Sequence, residues 1–195
     1  MFSLQDLVGQ QKGNDAVSQI SQMLGADQTT TNSAIQMALP MILSAMAKNA
    51  AQPSGAESLN NALQENHNGG ILNDLGGYLN APNSNDGIGI LGHIFGQKQG
   101  AAAQQVSQNS GLDLGQVAQL MITLAPIVMG YLGRQKQQAN LDSNGLSNLL
   151  NEKQQEIQSS DNPMMSSISN MLDSDNDGSM MDDLASLASN YFAKR

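Results

Sequence analysis

Leu120 to Leu132 reads LMITLAPIVMGYL, the most apolar run in the chain, interrupted only by Thr123, Pro126 and Gly130. At about 1.5 Å per residue it makes a helix of roughly 20 Å, shorter than the stretch of about 20 apolar residues that crosses a bilayer. From Val117 onward the apolar side chains fall on every face, which in a globular chain means a helix enclosed by others. Asp113 stands at the N-cap position with Gln116 three residues on, the pair that forms a capping box. Arg134 and Lys136 place positive charge at the C-terminal end, where the helix dipole favours it. The spacing therefore predicts a central helix beginning after Asp113.

The same pattern occurs earlier. Ile35 to Ala47 reads IQMALPMILSAMA around Pro40. A single gap-free shift lays Gln19, Ser21, Gln22, Gly25, Asp27 and Pro40 on Gln105, Ser107, Gln108, Gly111, Asp113 and Pro126, and Lys48 on Arg134. A cap, a turn glycine and a mid-helix proline matching in one register indicate internal duplication. With small slips the likeness continues from the short helix 58–65 to that at 145–152. The expected organisation is all-α: a first helical repeat over 1–98 and a second over 99–195, packed as one compact bundle around the two proline-containing helices. Upstream, Phe2 to Val8 and Ala16 to Leu24 read as two helical pieces separated at Gly13-Asn14.

Composition narrows the function classes. In 195 residues, 39% are hydrophobic but only 3% aromatic, so packing rests on aliphatic residues and twelve methionines. Methionine fills irregular cores and also makes adaptable interaction surfaces. The absence of cysteine excludes disulfides, thiolate metal sites and cysteine nucleophiles. A net charge of −9 repels phosphate backbones and argues against nucleic acid as a partner. No basic segment followed by an apolar core opens the chain, so the cytoplasm is the default location, with export by another route left open. A membrane surface remains an admissible partner, a membrane span does not.

One loop carries metal-like chemistry. Asp173, Asp175 and Asp177, followed by Gly178, give D-x-D-x-D-G between two expected helices. Alternating carboxylates in a tight turn converge on a hard cation, and calcium is the expected ion, with the Ser179 carbonyl as a further ligand. Where the full calcium loop has a twelfth-position Glu this chain has Leu184, so Asp182 or Asp183 must substitute and the affinity is expected to be low. The competing reading is an Asx-rich turn whose carboxylates cap the next helix.

The remaining motifs are weaker. Gly87, Gly89 and Gly92 match G-x-G-x-x-G, but no strand precedes them, so a packed helical face is expected, formed by Ile88, Leu91, Ile94 and Phe95, with Gly92 and Gly96 permitting close helix approach. His67, in the turn ENHNGG, is expected to be solvated, and His93, inside GILGHIFG, to be a packed structural imidazole. A hydrolase using His93 requires that side chain in a pocket beside a carboxylate. Without a visible nucleophile, base and orienter set, an enzyme is not expected.

At GILGHIFG, SGLDLGQVAQLMITLAPIVMGYLGRQ and LDSDNDGSMMDDLASLASNYF the chain resembles the uncharacterised bacterial YidB-like family. The resemblance implies an all-helical fold and carries no known activity, so no catalytic residues transfer from it. The functional expectation is a non-enzymatic interaction or self-assembling protein with a calcium-binding C-terminal hairpin. The alternative is a helical module that binds an apolar ligand, peptide or membrane surface.

Overall fold

A computed structural model describes residues 3–159. Within them the chain forms α1 (Leu4–Val8), α2 (Gln10–Leu24), α3 (Gln28–Ala50), α4 (Pro53–Glu65), α5 (Leu75–Asn80), α6 (Ser84–Phe95), α7 (Gln99–Ser110), α8 (Leu114–Ala139) and α9 (Ser143–Ser159), with short 3-10 turns at Gly70–Leu72 and Gly96–Lys98. No strand occurs among the described residues. The fold is an all-α helical bundle.

Two long helices, α3 and α8, lie at its centre. Around Pro40 the side chains from Leu39 to Ala47 are all buried, and around Pro126 so are those from Thr123 to Gly133. Helices apolar on every face need such enclosure. α3 packs against α7, α8 and α9, while α8 is covered by α6, α7 and the segment that holds the Gly70–Leu72 turn. Their entries are built alike. Gly25 and Gly111 end the preceding helices in the left-handed region, with φ of 64° and 88°, which glycine adopts without strain. Asp27 Oδ1 then accepts from the Thr30 amide at 2.9 Å, and Asp113 Oδ1 from the Gln116 amide at 2.8 Å. Gln116 Oε1 reciprocates by accepting from the Asp113 amide at 3.0 Å, so the expected capping box forms.

α8 outlasts its apolar run, extending over 26 residues, which is long and apolar enough to cross a membrane by length and composition alone. Two thirds of its most apolar window is buried inside the chain, however, the signature of a core helix.

Pro126 has no N–H, so the Ile122 carbonyl one turn earlier loses its intrahelical donor, and the ring crowds the neighbouring carbonyls. The α5–α6 hairpin docks at that point. The Tyr78 hydroxyl donates to the Thr123 carbonyl at 3.0 Å, and Gly87 lies so close to the Ile122 carbonyl that any Cβ there would collide with it. Further along, Gly133 presses equally closely on the backbone carbonyl of His67, which brings the loop after α4 down onto α8.

Two expectations are corrected here. The N-terminal break falls at Gly9, with φ of 88°, and α2 runs unbroken through Gly13 and Asn14. Gly13 instead permits contact, since a Cβ there would come within 2.7 Å of the Gln5 Cα. Gly92 and Gly96 face open space, and the close approach on α6 belongs to Gly87. The three glycines of G-x-G-x-x-G all lie inside α6, with no strand before them, so they cannot form a phosphate-cradling turn.

Candidate functional site

A cleft of about 390 Å³ opens between α4 and α6, within the size range of small-molecule sites. Its floor is apolar and comes from both central helices: Met46 of α3 and Met129 of α8, each nearly fully buried. One wall is α4, through Ser58, Leu59 and Ala62. The other is α6, whose residues Asp86, Gly89, Ile90, His93 and Ile94 recur at helical spacing and so share one face. The opposite stripe of α6 supplies Gly87, Leu91 and Phe95 to the core. Of the expected packed face, Leu91 and Phe95 are buried, but Ile88 is 49% exposed.

The polar groups lie toward the two ends of this wall. Asp86 and His93 are separated by seven positions, about two turns or roughly 10 Å of helix. Asp86 occupies the first turn of α6, where the helix dipole favours negative charge, because the Asn83 side chain starts the helix by accepting from the Asp86 amide at 3.4 Å. The His67 Nε2 lies 3.4 Å from Asp86 Oδ1, with the imidazole side chain only 11% exposed and the carboxylate 32%. Tyr78 is near enough to feel that carboxylate: burial, and secondarily the Asp86 charge, push its phenol well above the ordinary value. At the far end, Asn49 Nδ2 reaches the His93 backbone carbonyl at 3.5 Å, tying α3 to α6.

Both histidine expectations are therefore revised. His67 is not solvated, because the loop that carries it is drawn onto α8 at Gly133 and turns the imidazole toward Asp86. His93 is exposed on the cleft rather than packed, because α6 buries the Gly87, Leu91 and Phe95 stripe instead. The hydrolase reading required such a placement. Yet the carboxylate in the cleft contacts His67, not His93, and Ser58, the hydroxyl lining the cleft, makes no hydrogen bond to either imidazole. Among the described residues no group of three metal-ligating side chains converges on one point. The residues singled out for calcium, Asp173, Asp175, Asp177, Ser179, Asp182 and Asp183, lie outside the described residues.

The site thus defines a helical bundle with an apolar cleft and an imidazole–carboxylate pair at one end. The chain belongs to the family described as bacterial protein of unknown function (DUF937), which matches residues 6–135. No curated protein and no solved structure matches it. Every cleft residue falls within the matched span, whereas Asp173 to Asp183 follow it.

Proposed function

We propose that this chain is a non-enzymatic binding module of the bacterial cytoplasm, and that the cleft between α4 and α6 takes a small apolar ligand or the apolar part of a larger one. The observation that carries this reading is the cleft itself: an apolar floor of two methionines with a few polar groups toward its two ends, a make-up common in ligand sites. Methionine floors adapt to ligands of different shape. Among the described residues lining the cleft, no hydroxyl is held against an imidazole as an activated serine nucleophile would be. Gly89 offers a direct test, because it lines the cleft and a Cβ there meets nothing. Octanol should raise the thermal midpoint of the wild-type chain, as any ligand of the folded state does, and Gly89→Leu should abolish the rise by filling the cleft. No rise in the wild type, or an equal rise in the variant, overturns the reading.

The acidic segment supports a second, separate proposal resting on its D-x-D-x-D-G spacing: calcium binding by Asp173, Asp175, Asp177 and Ser179 with Asp182 or Asp183, coupled to self-association or a protein partner. Titration calorimetry at millimolar calcium should show uptake that Asp175→Ala removes, and light scattering with and without calcium reports assembly. Absence of uptake removes the metal.

A further inference from the structure

The charges along the cleft specify more than an apolar ligand. Asp86 is the carboxylate among its lining residues, and no lysine or arginine lines it. The other titratable lining groups are the imidazoles of His67 and His93. An anionic ligand would therefore enter a chain of net charge −9 and meet no fixed cation. The N-terminus of α6 does not rescue it, because Asp86 already stands in that first turn. A cation is treated differently. An ionised carboxylate offers about four lone-pair positions, and the His67 contact on Oδ1, at 3.4 Å, uses one. From Asp86 the α6 wall continues through Gly89 and Ile90 to Ile94, facing Leu59 and Ala62 of α4 over Met46 and Met129. The negative end and the apolar trough are continuous.

Resting on the binding reading above, we infer that the cleft's ligand is an amphipathic cation, a primary alkylammonium whose head meets the Asp86 carboxylate while its hydrocarbon tail lies along α6 between Ile90 and Leu59. Three probes of equal chain length separate head from tail: octylammonium, octanol and octanoate, titrated calorimetrically into the full chain. Octylammonium should bind at least tenfold more tightly than octanoate, with octanol between them. Asp86→Asn should bring octylammonium down to the octanol value and leave octanol unchanged, with the variant's helical circular dichroism confirming its fold. If octanoate binds as well as octylammonium, or if the preference survives in Asp86→Asn, the cationic assignment is overturned while the apolar cleft stands. If octanol also fails to bind, the cleft reading falls with it. Should Asp86→Asn not fold, the wild-type ratio of octylammonium to octanoate decides alone.

Discussion

Gly87 and Gly92 sit five residues apart on α6 and ought to respond oppositely to the same substitution. At Gly87 a Cβ meets the Ile122 carbonyl, a backbone atom that cannot rotate away, so Gly87→Ala forces α6 off α8 and should cost about 1 to 3 kcal/mol, as overpacking does. At Gly92 a Cβ meets nothing, and replacing a helical glycine with alanine gains about 0.5 to 1 kcal/mol through lost backbone freedom in the unfolded chain. Urea midpoints of the two variants check both signs. The glycine pattern in the sequence could not make this distinction, because three glycines at G-x-G-x-x-G look alike until a neighbouring backbone is placed beside one of them. The same holds for His67 and His93. Their local surroundings, a polar turn and an apolar helix, point the wrong way. What decides their exposure is which stripe of α6 faces Ile122 and where the α4 loop crosses Gly133. The sequence marked the face of Ile88, Leu91, Ile94 and Phe95, and nothing local marked the stripe of Asp86, Ile90 and His93 as the wall of a cleft.

At the scale of elements, α8 was readable almost completely. Its cap, its all-round apolar face and its basic end are local signals, and the Asp113–Gln116 capping box forms as its spacing required. Asp113→Ala should cost about 1 kcal/mol, measurable by chemical denaturation. That Pro126 removes a backbone donor follows from the sequence, but what uses the site was not legible, because it lies in another element: the α5–α6 hairpin docks at that turn of α8. Tyr78→Phe removes the bond to the Thr123 carbonyl and should cost about 1 kcal/mol at neutral pH. The same residue sets an alkaline limit. Burial first, and then the Asp86 charge, hold its phenol above the ordinary tyrosine value in the folded chain. A raised acid pKa gives stability that is fully present below pH 10 and lost as pH climbs toward the folded value. Tyr131 contributes in the same direction, again chiefly through burial. Stability of the wild type should therefore fall above about pH 10, the unfolded tyrosine value, and fall less steeply in Tyr78→Phe. Equal slopes in the two proteins would remove Tyr78 as a source.

Across the described residues as a whole, the paired entries of α3 and α8 and their two prolines organise one bundle, and the cleft lies where both central helices contribute its floor through Met46 and Met129. That surface belongs to the part of the chain matched to its family, which makes it the first place to look for function. The most direct measurement uses the methionines themselves. With methyl-labelled methionine in the full chain, an octyl probe should shift the Met46 and Met129 methyl resonances selectively among the twelve methionines, leaving the buried Met121 in place. Shifts spread over other methionines, or none at Met46 and Met129 at saturating probe, would contradict the cleft as the binding site.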